Sequence, residues 1–219
     1  MKQTLYHKKE ENERKTKKMK QVIFFSGPHG SGKTTLIENL ISRYDKFQEN
    51  KYDIDFLKDY PSIKTMNSFE RCLIRLYHRY YVQNYSWKEA KKNNDSKITV
   101  VSRSVYDSLA YIDTYNNLNK FSDQQYSILK KVMEGVDRYP YTVILNPAPD
   151  IIMERLMKRR EKGVRKERDT VFKGEDTYEF ISKLYESFSK LKKYPNVLYI
   201  EDNGEKEIKL IDEWCQNKN

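Results

Sequence analysis

The stretch "VIFFSGPHGSGKTTLIENL" constrains this chain more than any other. A short continuous apolar run, the mark of a buried parallel strand, breaks into a glycine-rich turn. A lysine, two threonines and an amphipathic helix follow. Gly27-Pro28-His29-Gly30-Ser31-Gly32-Lys33-Thr34 fits the pattern G-x-x-x-x-G-K-[ST] at every fixed position. Each residue type has a physical task. Glycines permit positive φ and let backbone N–H groups point at phosphate oxygens. The helix that begins at Lys33 adds its positive dipole end. Lys33 places a cation on the β- and γ-phosphates, and Thr34 is the expected Mg²⁺ ligand. Gly27, His29, Gly30, Ser31, Gly32, Lys33, Thr34 and Thr35 form the expected nucleotide-holding set, within which the His29 side chain reads as a loop spacer.

The rest of the chain repeats the strand-then-helix theme. "YDIDFL" (52–57) alternates and reads as a second strand; "KITVV" (97–101), "YTVILN" (141–146) and "NVLYI" (196–200) read as the third, fourth and fifth. Phe69, Cys72, Leu73, Leu76, Tyr77 and Tyr80 recur at steps of three and four, which predicts a helix over 66–85 with one apolar face. A helix carrying Leu109, Tyr111 and Ile112 follows the third strand. Ser122 with Gln125 forms a capping-box pattern opening a helix to about Glu134. Asp150 starts a helix that runs into a basic segment; Tyr178, Ile181, Leu184, Tyr185 and Phe188 mark another, and a last helix covers about 205–216. Strands alternating with helices mean crossover connections, a mostly parallel sheet and helices on both faces. Ligands of such sheets lie outside the carboxyl ends of the strands, so the loops after Phe25, Leu57, Val101, Asn146 and Ile200 are the places to search.

Two groups of arginines suit a transferring phosphoryl group, whose catalysis is mostly positioning and cations. Arg103 directly follows the third strand, beside the glycine-rich loop; Ser104 and Asp107 also read as a helix cap there. The second group is Arg155, Arg159, Arg160, Arg165 and Arg168, broken by Gly163. It reads either as a solvated charged helix or as a lid, over about 159–175, that closes on a triphosphate and excludes water. Arginine in place of lysine favours the lid, because guanidinium binds phosphate bidentately. Arg75 and Arg79 are further cations on the 66–85 helix, off its apolar face.

Composition bounds the remainder. The chain has 219 residues and a formal net charge of +10. Residues 1–20 hold eight Lys/Arg against three Glu, half of that net charge, with hardly an apolar residue. Residues 1–19 are therefore expected to be a basic disordered arm preceding one domain over 20–219. Such an arm reads as a tail or as a contact for nucleic acid; Met19 is an alternative start that loses nothing foldable. Cys72 and Cys215 have no neighbour at metal-ligand or redox spacing, which suits a reducing compartment. Without an apolar run of membrane-spanning length or a signal-peptide pattern, the expectation is a soluble cytoplasmic protein.

Over roughly residues 20–200 the chain resembles the thymidylate kinase and deoxynucleoside kinase group of P-loop kinases. "GPHGSGKTT" stands where that group has its phosphate loop. "SRSVYDSLAYI" is similar to the "DRY…S…AY" segment of thymidylate kinases and to the "ERSVYSD" segment of deoxynucleoside kinases. "NPAPDIIMERLMKRREKGVRKERDTVFKGEDTYEFISKLYESF" resembles the thymidylate kinase stretch from the fourth strand through the arginine lid. The resemblance implies a three-layer P-loop kinase fold with a five-stranded sheet, ATP and Mg²⁺ as cofactors, a small nucleotide or nucleoside substrate and a homodimer. Arg79, in "LYHRYY", lies about where these enzymes hold the acceptor's phosphate.

The departures are specific. Pro28-His29 stands where thymidylate kinases carry an acidic residue, and Ser102 replaces the carboxylate that precedes the arginine of the third motif. Asp59-Tyr60-Pro61 approximates the "EP" pair; Asp59 is either a base for a substrate hydroxyl, a ligand to metal-bound water, or a turn residue before proline. The leading expectation is phosphoryl transfer from Mg-ATP to a nucleoside monophosphate, dTMP above all. Lys33 and Mg²⁺ on Thr34 would hold the donor, Arg79, Arg75 and Arg103 the acceptor, and one or two of Arg159, Arg160, Arg165 and Arg168, Arg159 and Arg165 foremost, would close on the transferred group. The aromatic-rich helix 69–81, Phe56 and Tyr111 read either as a platform for the acceptor's base or as core, the commoner role of aromatic stripes at helical spacing. A deoxynucleoside kinase with Asp59 as base is the alternative. A nucleotide-binding protein with a degenerate kinase site, acting on nucleic acid through the arm, is the third reading.

Overall fold

A computed structural model describes residues 22–50, 60–92, 97–136, 139–164 and 166–216. The basic arm, the strand expected over 52–57, and Phe56, Asp59 and Arg165 lie outside the described residues.

Strand β1 (Val22–Ser26) is fully buried and shows why this fold forms. Successive strand side chains point to opposite faces. Val22 and Phe24 pack with Val82 and Trp87 of α2 (Ser68–Lys92). Ile23 and Phe25 pack instead with Leu36, Ile37 and Leu40 of α1 (Lys33–Arg43) and with Ile208 and Ile211 of α8 (Glu205–Gln216). A strand apolar on both faces demands a helical layer on each side. The second layer is completed by α3 (Val105–Asn117), α4 (Asp123–Glu134) and α7 (Tyr178–Ser189), which share one core around Tyr106, Leu129, Leu184 and Phe188.

The five-stranded sheet runs β2-β3-β1-β4-β5, and every pairing is parallel. Here β2 is Phe47–Glu49, β3 Ile98–Ser102, β4 Thr142–Leu145 and β5 Val197–Ile200. β1 lies between β3 and β4, so the connections diverge there and a crevice opens above their carboxyl ends. Helix α5 (Pro149–Glu161) leaves β4 along that crevice; α6 (Lys166–Val171) and a 3₁₀ turn (Lys173–Glu175) bring the chain back to α7.

Two expectations need correction. The edge strand beside β3 is Phe47–Glu49, pairing Phe47 with Ile98. It is three residues long and only Phe47 is buried, too short for a period to be legible. Helix α2 runs to Lys92 and buries Cys72, Leu76, Val82, Gln83, Ser86 and Trp87, leaving Tyr77 at 66% and Tyr80 at 44% exposure. Tyrosine's phenol tolerates water, so a tyrosine-rich helix blurs its own apolar stripe. The capping boxes at Ser104/Asp107 and Ser122/Gln125 form as expected. Both cysteines are free and buried. Among the described residues no helix is long and apolar enough to cross a membrane.

Candidate active site

The site is built where β1, β3 and β4 end. After Ser26 the chain turns at Gly27 with φ 141°, and a Cβ there would stand 2.0 Å from the Leu145 carbonyl oxygen of β4. Only glycine passes so close to a neighbouring strand in that conformation. The loop then enters α1 at Gly32, which has φ 99° and provides no side-chain cap. The first amides of α1 are thus left without a side-chain acceptor, as an incoming anion requires.

Lys33 folds back over the loop. Its Nζ donates to the carbonyl oxygens of Gly27 at 2.9 Å and Pro28 at 2.6 Å, and to Ser31 Oγ at 3.0 Å. The ammonium is buried, and burial, with Arg103 and Arg79 nearby, drives its pKa well below the usual lysine range despite Asp107. Thr34 and Thr35, one step on, are exposed.

Arg103 is the second cation of the crevice. Its backbone has φ 76°, a left-handed conformation that a non-glycine residue adopts at a cost. The turn aims the guanidinium at the loop, where Nη1 donates to Gly27 O at 2.8 Å and to Asp107 Oδ1 at 2.6 Å. Asp107 is 3% exposed and also accepts from Ser104 N at 3.0 Å and Gly27 N at 3.4 Å. Burial pushes its carboxyl up, but Arg103, Lys33 and Arg79 together outweigh that and hold it below its ordinary range. Arg79 belongs to the same electrostatic group: burial first, then Arg103, destabilises its charge, and Asp107 and Tyr111 oppose them. Ser102, at the end of β3, is exposed.

The structure brings together Lys33, Arg79 and Arg103 around Asp107, which the sequence marks only as a cap. It holds Arg75 apart, bonded to Glu175 at 3.0 and 3.3 Å, while Tyr115 donates to the same carboxylate at 2.7 Å. The Arg75 guanidinium lies 5.3 Å from the Tyr111 ring centre and 5.2 Å from that of Phe172. One face of Tyr111 is therefore covered by a cation of the chain itself. Arg159 donates to Asp169 at 2.6 Å, and Arg160 donates to Asp176 at 2.9 Å. Arg155 donates to Ser31 O and, at 3.3 Å, to Asn203 Oδ1 beyond β5, tying α5 to the loop. The partnerships 75–175, 160–176 and 155–203 leave no local sequence signature. Acidic residues after a basic stretch are the only hint the sequence offers.

What this arrangement can do is bind polyphosphate: a glycine cradle, an open helix N-terminus and three clustered cations around one carboxylate. Comparison with known proteins agrees with that geometry. No curated protein sequence matches the chain. Three solved structures of the deoxyadenosine kinase from M. mycoides share the fold. The form with products dCMP and a flexible dCDP is 17% identical at TM-score 0.61, covering 90% of this chain and 99% of that one. The dATP-bound form is 14% identical at 0.64, covering 89% and 98%. The dCTP-bound form is 18% identical at 0.56, covering 90% and 99%. The family model described as AAA domain matches residues 22–203, so the chain belongs to the AAA domain family and carries the P-loop kinase fold.

Proposed function

We propose that the protein is a phosphotransferase that moves the γ-phosphoryl group of ATP to the 5′-hydroxyl of a deoxynucleoside. The observation that carries this reading is Arg103, held in a left-handed turn 2.8 Å from the phosphate loop's own Gly27 carbonyl. A strained cation at a strand's carboxyl end, facing a phosphate cradle, is placed to stabilise charge that moves. Similarity of fold to a deoxyadenosine kinase supports the acceptor class. Lys33 would exchange loop carbonyls for the donor's phosphates. Arg103 and Arg79 would flank the transferred group, and the 159–175 segment would act as a lid bringing Arg159, Arg160 and Arg165. Asp59 would take the proton of the attacking hydroxyl.

A magnesium ion carried by the donor would supply positive charge to offset that of its phosphates. Thr34, exposed at the start of α1, fits as its protein ligand. Among the described residues no group of three or more His, Cys, Asp or Glu could hold a metal. An ion liganded chiefly by phosphate and water suits that donor set.

A second reading, transfer to a nucleoside monophosphate such as dTMP, is favoured by the charge count. Lys33, Arg79 and Arg103 share one carboxylate, Asp107. A monophosphate acceptor would set its charge beside these cations. ADP release measured with Mg-ATP over a panel of deoxynucleosides and their 5′-monophosphates separates the two. Turnover with nucleosides alone supports the first reading, and turnover with monophosphates alone supports the second. Absence of turnover with ATP still bound refutes both.

A further inference from the structure

One side chain of the phosphate loop points away from the cradle. His29 sets Nδ1 2.8 Å from the Tyr111 hydroxyl, and its Nε2 makes an ion-pair contact at 2.8 Å with Asp176 Oδ1, the N–H lying off the hydrogen-bond direction. The other oxygen of Asp176 accepts from Arg160 at 2.9 Å and lies 3.7 Å from Arg159. A continuous polar chain therefore runs from loop to imidazole to carboxylate to the two arginines in the last turn of α5. The Asp176 side chain is 4% exposed and that of His29 18%. The contact between His29 and Asp176 is shielded, unlike surface pairs that exchange freely with water, while the Arg160 side chain is 39% exposed. Burial raises the Asp176 carboxyl, yet His29, Arg160 and Arg159 hold it below its ordinary range, so it stays an anion. Arg159 also keeps a buried Nε without a hydrogen-bond partner among the described residues, a donor still to be used.

Packing alone does not require this chain. Helix α5 already meets the loop through apolar contact, since Leu156 and Ile152 come within 3.1–3.3 Å of a Cβ built at Gly30. What the polar chain adds is direction: it fixes where two guanidinium groups stand relative to the cradle.

We propose that His29 is a positioning residue that, through Asp176, sets Arg159 and Arg160 against the phosphate loop. The cations that meet the donor's terminal phosphate are then registered by the loop that holds the rest of the donor. The role in turnover rests on the phosphotransferase reading; the linkage itself does not.

The test is a pair of substitutions. A glutamine amide reaches the place of Nε2 and keeps a polar N–H₂ group against Asp176. An asparagine amide reaches only the place of Nδ1. Trypsin cleavage after Arg159, Arg160 and Lys162 is followed by mass spectrometry in the nucleotide-free full chain. His29→Asn and Asp176→Asn should be cut about tenfold faster than the parent, and His29→Gln within about twofold of it. In steady-state kinetics His29→Asn should lose about tenfold to a hundredfold in kcat with the KM for ATP within about threefold, and His29→Gln should recover most of the loss. Thermal melts identify any variant that has simply failed to fold, and Asp176→Asn probes the same linkage from its other side. The proposal is overturned if His29→Gln and His29→Asn are cut alike, or if they differ in cleavage but not in kcat. Unequal cleavage in a protein without turnover towards any acceptor retains the linkage and refutes the phosphotransferase reading.

Discussion

Asp107→Asn puts the electrostatics of the site to a quantitative test. The carboxylate accepts from Arg103 at 2.6 Å, Ser104 N at 3.0 Å and Gly27 N at 3.4 Å, and it is the anion facing Lys33 and Arg79. Asparagine keeps the shape and one acceptor but removes the charge and turns an N–H₂ toward a donor. Breaking a buried ion pair on one side costs about 3–5 kcal/mol. Arg103 retains 19% side-chain exposure and Gly27 O as acceptor, which favours the lower end, about 3 kcal/mol. For a chain of this size that is a fall in Tm of about 6–12 °C. Two further results are required. Inorganic tripolyphosphate should stabilise the variant more than the parent, because it supplies the charge that was removed. The Asp107 carboxyl is held below its unfolded value, so its contribution is present above about pH 4 and vanishes as the pH falls through the lower, folded value. Urea unfolding curves of parent and variant should converge in that acid range. A variant within about 1 kcal/mol of the parent at neutral pH, or a loss that tripolyphosphate leaves unchanged, would refute the reasoning.

Three shorter predictions follow from the same geometry. Gly27→Ala drives a methyl into the Leu145 carbonyl at 2.0 Å, and neither backbone can retreat without parting β1 from β4. Loss of soluble protein, or a Tm lower by more than about 10 °C, is expected in a melt. Lys33→Met should fold, since methionine fills the buried stem, yet lose ATP-induced stabilisation by at least about tenfold in apparent affinity in a ligand-dependent melt. Arg75→Met should destabilise more than Arg75→Met combined with Glu175→Gln, because the single change strands a buried carboxylate; a double-mutant cycle in urea reads the difference.

The parts of the molecule that were legible are those with a local cause. The phosphate loop announces itself because positive φ, close strand approach and an open helix start can all be met only by glycines at fixed offsets. The two Ser-led capping boxes are legible for the same reason, each being closed within four residues. β1 and β4 show as apolar runs because both their faces are buried, and β3 and β5 because theirs are at least partly so. Edge strand β2 did not, because one buried phenylalanine in three residues has no period. The counter-ions of the arginines were illegible on different grounds. Asp107 was visible as a cap at Ser104, and nothing local shows that the same carboxylate faces three cations. Glu175 and Asp176 meet Arg75 of α2 and Arg160 of α5 only because the chain turns back after α6, a consequence of the whole fold. Ser102, where a carboxylate was expected, sits exposed at the strand end, and the anion facing the cradle comes from one turn into the following helix.

The self-contained bonding of Lys33 leads to a further measurement. Its ammonium has three donors, and loop atoms take all of them: Gly27 O, Pro28 O and Ser31 Oγ. Burial, with Arg103 and Arg79 close by, nevertheless lowers its pKa well below the ordinary value near 10.4. A bound polyphosphate adds negative charge beside the nitrogen and moves that pKa back up. The complex therefore holds more proton than the free protein in the interval between the two values, and affinity must fall as the pH rises through the lower one. Calorimetric titration of ATP in two buffers of unlike ionisation enthalpy counts the protons directly. Uptake should grow from near zero below the lower of the two values toward one proton inside the interval between them. Lys33→Met should abolish that growth, which separates Lys33 from Arg79, whose guanidinium is held in the same cluster. Proton uptake that stays flat in the parent across that interval would mean that the loop carbonyls keep Lys33 charged unaided, and the three-cation account of the cradle would then have to be abandoned.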